Sequence, residues 1–499
     1  EKTGEGVLAY INNHSFIDNP TFRGMRWNLL QAFDEIFILD LQGDTNKINL
    51  APKEAGSDEN VFDIQKGVSI NFFIKHSSKK ASTNAKVNYA ALWGGRENKY
   101  KVLSSSRLKD IEFLEVLPQA PNYFFSPADY GLQEQYLQGF AVSELFREYT
   151  MGFASAQDRL TVSFDSNALW DVVSDFKNLS IPDLREKYLI KKESRDWTIA
   201  SAKQDIENNY SKSLIRKVSY RPFDERFTYY TGNSRGFYAS PQKKIMRHLE
   251  MEDNLAFISC RMNRDNSDTY WVAENIVSKS LISSLDNCYV FPLYLYLDSD
   301  SDGNIARTPN FNEDIVSELA SATKLNFSPE PIDSKGSFSP VDVVDYIYAY
   351  LHCEPYLKQY RPFLKVDFPR VPYPESKKDF FSFVQLGKKL RTIHLMSDTG
   401  DWDPTVCFSQ AGSGLITRKI GVKDFEITDK KLKLGRVWIN ESQYFSGVPE
   451  TIWNYNVGGY SPAQKWLKDR VGQVLSYEDL SHYQRIICAL IKAQKVMEK

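Results

Sequence analysis

The tetrapeptide Asn19-Pro20-Thr21-Phe22 is the first place where residue types and spacing suggest chemistry. It resembles an [Asn/Asp]-Pro-Pro-[Tyr/Phe] arrangement, and the resemblance would imply an amide oxygen and a proline carbonyl accepting hydrogen bonds from a target NH2 while the ring stacks on its base. Thr21 stands where the second proline is needed, so the run reads as a loop entering a helix. Ala411-Gly412-Ser413-Gly414 has the look of a glycine loop for S-adenosylmethionine, which must follow a buried strand and open a helix. Here Leu415 to Ile420 looks strand-like and only 85 residues remain, so a hairpin loop is expected. Asp298 to Gly303 begins like a calcium loop, but its twelfth position, which needs a bidentate Glu, is Pro309. An acidic surface turn is the simpler reading. The six histidines (14, 76, 248, 352, 394 and 482) are too scattered for a Ser-His-Asp or Cys-His pairing to be proposed. No catalytic residue and no metal ligand is assigned.

Charge is more informative than motif. The 499 residues carry a formal net charge of −2, which says nothing about partners. Yet from Lys66 to Lys109 there are ten bases and one acid, Glu97, so this window is +9 and the rest of the chain −11. Phe72, Phe73, Tyr89, Trp93 and Tyr100 are interleaved with it, the texture of a phosphate-facing surface. A solvated face on alternating strands is the competing reading. Arg235, Lys243, Lys244 and Arg247 form a second cluster containing no acid. A third, Arg418 to Arg436, mixes seven bases with three acids and reads as an ordinary hairpin surface.

The elements that must position these residues fall into two textures. Val7 to Ile11 and Ile36 to Leu41 are short apolar runs of the kind buried parallel strands show, and Met25, Leu29, Leu30 and Phe33 between them recur at helical spacing. Val61-Phe62 and Val68 to Ile74 flank a Lys66-Gly67 turn, which predicts an antiparallel hairpin. Strand, helix, strand and hairpin make the second half of a doubly wound α/β domain. Beyond about residue 115, Pro118, Pro121 and Pro127 break long elements, and the texture becomes α+β. Ser166 and Ser180 start short helices, and Ser339-Pro340-Val341-Asp342 opens another. The last helix begins at Ser476 and puts Leu480, Tyr483, Ile487, Leu490 and Ile491 on one face. The longest apolar stretch, Tyr289 to Leu297, is strand-like and about half the ~20 residues that a membrane-spanning helix needs. Five cysteines without CxxC spacing suggest a reducing cytoplasm. With no methionine at Glu1, the chain reads as the C-terminal piece of something longer.

Gly6 to Phe16, Arg23-Gly24-Met25-Arg26 and Ile36 to Leu41 together resemble the segment that follows the catalytic tetrapeptide in γ-class adenine-N6 DNA methyltransferases. Asn60 to Val68 is similar to that family's motif VIII hairpin. The resemblance implies that Phe62 packs against an adenine flipped out of the duplex. Tyr220 to Arg226, Pro292 to Tyr296, Arg307 to Asn312, Phe363 to Pro372 and Asn456 to Tyr460 extend the resemblance, in order, to the C-terminal half of Type ISP restriction-modification enzymes. Those single polypeptides join a nuclease, a helicase-like ATPase, an adenine methyltransferase and a target-recognition domain. Neither the S-adenosylmethionine loop nor the Asn-Pro-Pro-Tyr tetrapeptide is in this chain, and no G-x-x-x-x-G-K-[S/T] loop is present.

The expected architecture is therefore the C-terminal part of a doubly wound methyltransferase core over residues 1–115, followed by an α+β target-recognition domain. That domain would cover 116–450, with a helical segment over 451–499. The expected partners are double-stranded DNA and, in the same polypeptide, the upstream methyltransferase half with helicase and nuclease domains. S-adenosylmethionine is expected in the full-length parent, none bound to this chain alone, and no methyl transfer by the chain in isolation. Phe62 is the base-stacking candidate, a plain core phenylalanine being the alternative. Lys86, Arg96, Lys99, Lys101 and Arg107 are the candidate phosphate contacts, with Lys243, Lys244 and Arg247 beside them. A stand-alone DNA-specificity subunit and an aromatic-rich carbohydrate-active or scaffold protein are the alternatives.

Overall fold

Strand side chains alternate between two faces, so a sheet covered on both sides needs two separate apolar sets. The first 135 residues supply them. The structure is a computed structural model describing residues 4–44, 57–77, 84–127, 130–251, 253–262, 270–297, 306–331, 336–397, 406–408 and 410–497. Lys79, Lys80 and the acidic loop 298–303 lie outside the described residues. The chain divides into two compact units, residues 1–135 and 136–499.

In unit 1 the elements are β1 (Gly6–Asn13), α1 (Arg23–Ala32), β2 (Glu35–Asp40), β3 (Val68–Lys75), β4 (Lys86–Ala91), α2 (Arg96–Ser105) and β5 (Leu114–Val116). The strand order is β1-β3-β2-β4-β5. β3 runs antiparallel to both β1 and β2, β2 and β4 are parallel, and β5 is antiparallel to β4. Ile36, Ile38, Phe73 and Val87 join Leu30 of α1 in one core cluster, while Leu39, Val68 and Ala90 pack with Leu103 of α2 in another.

Two expectations are corrected here. Val7 to Ile11 is a strand, but an antiparallel edge strand, and Val7 is 67% exposed. A short apolar run looks the same whether its strand is buried or lies at an uncovered edge. Val61-Phe62 is not a hairpin arm, because residues 61–66 form bends and β3 takes β1 and β2 as its neighbours. On α1, Leu30 is buried as expected and Met25 is exposed. Arg26, the last residue of the Arg23-Gly24-Met25-Arg26 run, is fully buried. Its guanidinium donates to the carbonyls of Phe16 (2.7 Å), Asn19 (2.8 Å) and Asn122 (2.6 Å). Burial pulls its pKa down to about 10.

Unit 2 contains three sheets of three or four strands with helices around them. Thr150–Met151 (β6), Val162–Ser163 (β7), Ser166–Asn178 (α3), Ile181–Lys187 (α4) and Ile199–Asn208 (α5) come first. Next are Ile215–Arg221 (β8), Asp224–Tyr229 (β9), Ala256–Cys260 (β10), Tyr270–Ala273 (β11), Ile276–Val277 (β12) and Cys288–Pro292 (β13). The sheets are ordered β12-β8-β9-β7 and β11-β10-β13-β6. Pro340–Tyr350 (α6) and Lys377–His394 (α7) precede a meander of Phe425–Asp429 (β14), Leu434–Trp438 (β15) and Tyr444–Pro449 (β16). Pro462–Lys468 (α8) and Tyr477–Met497 (α9) end the unit.

Several helix starts follow their sequence signals. Ser180 caps α4, and at Ser339 the backbone NH donates to Asp342 Oδ2 (2.7 Å), closing the box that opens α6. The run Tyr289 to Leu297 is divided between β13 and a second strand, Tyr294–Tyr296. No described helix is long and apolar enough to cross a membrane.

Two long-range polar contacts hold unit 2 together. Asp224, at the start of β9, is buried and receives Arg226 (2.6 Å) and Arg470 (3.0 Å), while Arg226 also reaches Asp469 (2.6 Å). The guanidinium carbons of both arginines lie over the Phe164 ring (4.2 and 4.4 Å). Burial alone would raise the Asp224 pKa, but the two guanidinium charges overcome it and leave it below the usual carboxylate range. Thus the final helices belong to the same unit as the β8–β9 hairpin. Elsewhere, Tyr348 Oη meets His394 Nδ1 at 2.5 Å, and His394 stacks on Trp271 at 4.5 Å. Burial lowers His352 to about 4 and holds His394 well below its ordinary value.

Two outcomes follow for unit 2. Asp224→Ala leaves two guanidinium groups buried beside an emptied site and lowers unfolding free energy by about 3–5 kcal/mol in urea denaturation followed by tryptophan fluorescence. Because the folded state prefers neutral His352 and His394, their stabilisation is complete above the unfolded pKa near 6.5 and is lost as pH falls toward about 4. In His394→Phe, Tm falls less steeply between pH 7 and pH 4 than in the wild type.

Candidate nucleic-acid interface

Phe62 sits in the 58–67 segment, which has no ladder partners and is held by side chains. Asn60 is buried and bonds three ways: Nδ2 donates to the carbonyls of Gly43 (3.0 Å) and Lys66 (2.7 Å), and Oδ1 accepts the Phe62 NH (2.8 Å). Helix α2 grips the segment through residues at i, i+3 and i+4, which share one helix face. Arg96 donates to the carbonyls of Asn60 (2.7 Å) and Phe62 (3.1 Å) and pairs with Asp63 (2.9 Å). Lys99 donates to Asp58 Oδ1 (2.7 Å) and to the carbonyls of Leu41 (2.8 Å) and Glu59 (2.6 Å). Tyr100 Oη donates to the Val61 carbonyl at 2.5 Å.

The far end is fixed by a buried polar cluster at the end of β2. The His14 NH donates to the Gly67 carbonyl (3.0 Å), and its Nδ1 lies 2.9 Å from Asp40 Oδ1. Asp40 also accepts from Gln42 (2.9 Å) and Tyr89 Oη (3.2 Å). Burial, then the Asp40 charge, pushes the Tyr89 hydroxyl far above its ordinary pKa, so it stays a donor. Gly67 is required by this packing, since a Cβ there would lie 2.4 Å from His14 Cε1. Between these anchors, Phe62 keeps its backbone NH and carbonyl bonded, and the residue is 45% exposed. It is therefore not a core phenylalanine. The arrangement is a fixed, outward-facing aromatic platform.

The candidate phosphate contacts separate into groups. Lys99 is corrected outright: it is 0% exposed and its ammonium is saturated by three acceptors of the protein. Arg96 is committed to the Phe62 segment, and Lys86 makes an exposed pair with Glu115 (3.0 Å). Lys101 and Arg107 are exposed, and their side chains have no ion pair among the described residues. In unit 2, Lys243, Lys244 and Arg247 are exposed on a short helical turn, with Lys244 paired to Glu148 (2.6 Å). The preceding loop is shaped by the buried Asp205, which accepts from the Phe237 NH (2.8 Å), Thr231 (2.7 Å) and Asn233 (2.8 Å). Sequence reasoning missed the brace and the His14–Asp40 contact. The 96/99/100 spacing could have disclosed the brace, whereas no local signal joins His14 to Asp40.

The remaining motifs are structural. Asn19 Oδ1 accepts the Thr21 NH (2.9 Å) at the start of a 3-10 turn, as a loop reading requires. The 411–414 loop does not fit S-adenosylmethionine. Gln443 Oε1 accepts the Gly414 NH (2.8 Å), and a Cβ on Gly412 would strike the Gln443 side chain at 2.5 Å. The expected strand at 415–420 is reduced to a single bridge at Leu415.

Unit 1 thus presents a braced, half-exposed aromatic beside a mixed sheet, and unit 2 carries exposed basic turns. The chain belongs to the family described as the Type ISP C-terminal specificity domain, whose model matches residues 144–499. Three solved structures share its fold. One is a DrdV–DNA complex (TM-score 0.71, 18% identity) and another the ATP-dependent Type ISP restriction-modification enzyme LlaBIII bound to DNA (0.69, 20%). The third is a nuclease-deletion mutant of the Type ISP enzyme LlaGI with a DNA substrate mimic (0.68, 18%). Each match covers 99% of this chain, which spans 50%, 33% and 46% of those chains respectively. No curated protein matches it.

The brace has a direct consequence. Lys99→Ala leaves the buried Asp58 carboxylate without its cation and costs unit 1 about 3–5 kcal/mol. Lys101→Ala changes stability by less than about 0.5 kcal/mol. Equal thermal shifts in the two variants would refute the brace.

Proposed function

We propose that this chain supplies DNA sequence recognition, and part of a flipped-adenine pocket, to a restriction-modification enzyme that methylates adenine N6. The observation that carries the reading is Phe62, half-exposed on a segment immobilised at both ends. Extruding a base costs a few kcal/mol of stacking, and a fixed aromatic face offsets part of that without ordering itself on binding. The family match and the DNA-bound relatives support the assignment of unit 2 to sequence reading. Exposed Lys86, Lys101, Arg107, Lys243, Lys244 and Arg247 are suited to phosphate contacts, which set register and leave base edges to other side chains.

The exposed apolar edge of β1 supports pairing with further strands of a methyltransferase sheet in the parent protein. S-adenosylmethionine would be held by parts of the parent outside these 499 residues, where it supplies the methyl group. This chain's own contribution is to hold the base and exclude water from one side of it. Phosphate and groove contacts would decide where on the duplex that happens.

The test is binding of the chain to a labelled duplex library across a salt series. Salt-dependent binding with an enriched short sequence is the expected result; salt-insensitive behaviour rejects the reading. In the full-length parent, Phe62→Ala should lower the methylation rate about ten- to a hundred-fold, the scale of one base–aromatic stack at about 1–3 kcal/mol. Its binding to unmodified duplex should change far less.

A further inference from the structure

The meander β14–β15–β16 carries a feature that its mixed charge conceals. Its base is rooted in the core: Phe425 stacks on Trp453 (5.9 Å, 15° between planes) and Phe445 packs on Tyr483 of α9 at 4.4 Å. Gly435 is buried so closely that a Cβ would lie 2.5 Å from the Phe425 ring. The connecting turn Lys430-Lys431-Leu432-Lys433 is wholly exposed. Its shape is nevertheless fixed. Asp429 Oδ1 accepts the NH groups of Lys431 and Leu432, both at 2.9 Å. Lys433 takes a left-handed φ of 51°, and its carbonyl accepts the Glu450 NH (2.9 Å).

The acids that make the sequence cluster look balanced are therefore occupied below the tip. Asp429 caps the turn, Asp424 pairs with Arg418 (3.2 Å) and Glu426 accepts from Trp438 Nε1 (2.9 Å). Among the described residues, the ammonium groups of Lys430, Lys431 and Lys433 have no ion pair. Between them Leu432 is 64% exposed. One exposed leucine is ordinary. A leucine in the exposed turn of a preorganised ribbon, with three lysines beside it in that turn, has the composition of a groove reader.

We propose that the β14–β15 tip is a DNA contact of the specificity domain, with the three lysines on phosphates flanking a groove and Leu432 against base edges inside it. The charge complementarity is with a polyanion, and a two-stranded ribbon matches the width of the major groove, whose floor offers thymine methyl groups to an apolar side chain. The inference rests on the DNA-recognition reading of unit 2.

The experiment measures affinity of the full chain for a mixed-sequence duplex pool between 50 and 200 mM salt (on the order of the range where counterion release dominates). The triple variant Lys430→Ser, Lys431→Ser, Lys433→Ser is compared with a control of equal charge loss, Lys388→Ser, Lys389→Ser, Lys495→Ser, on α7 and α9. The tip triple should flatten the slope of log K against log salt by about 2–3, at about 0.9 per lost phosphate contact. Leu432→Ala should weaken binding about ten-fold with an unchanged slope, since it removes apolar contact alone. A tip triple indistinguishable from the control overturns the proposal while wild-type binding still upholds DNA recognition. An unaffected Leu432→Ala overturns the insertion of Leu432 into the groove. Absence of wild-type binding overturns the DNA-recognition reading itself, and this one with it.

Discussion

One buried carboxylate, Asp224, governs how unit 2 is assembled. Its two oxygens receive guanidinium groups from Arg226, two residues away, and from Arg470, 246 residues away. A buried charge is costly unless its partners are held in good geometry. Here that geometry is supplied by the β8–β9 hairpin on one side and the turn that ends helix α8 on the other. Phe164, Tyr220 and Trp466 pack against the guanidinium planes and limit the water that reaches them. The middle and the end of the chain are therefore bound into one body, and the basic turn at 243–247 and the β14–β16 meander are carried by it.

Unit 1 uses charge in the same inward way. Arg96 and Lys99 lie in the most basic stretch of the chain, yet both are committed to the Phe62 segment. Their carbonyl and carboxylate partners replace the ladder bonds that residues 58–67 lack. The result is a rigid presentation of an exposed aromatic ring, which a flexible loop could offer only at an entropic cost. His14, Asp40 and Gly67 complete the support from the opposite end, where close approach leaves no room for a side chain on Gly67.

Much of the local structure was legible in the sequence. The apolar periodicity of Leu29, Leu30 and Phe33 placed α1, the Ser339-Pro340-Asp342 signal placed the start of α6, and Tyr483, Ile487 and Leu490 marked the buried face of α9. The failures are equally particular. Val7 to Ile11 has the composition of a buried strand but forms an edge, because composition does not register which neighbours are present. The tip at 430–433 was obscured because counting charges along the chain balanced its lysines against acids that are bonded elsewhere.

Caps, turns and the alternation of apolar residues act over a few positions, so the sequence alone determined where many elements begin, which faces they bury and the family they resemble. What each charge does was decided only by the tertiary structure. Lys99 and Lys101 are two residues apart and equally basic, but one is buried against the carbonyls of Leu41 and Glu59 and the Asp58 carboxylate, and the other faces solvent. The difference is electrostatic and steric: a cation takes its role from acceptors that folding brings within about 3 Å, and those come from residues tens to hundreds of positions away.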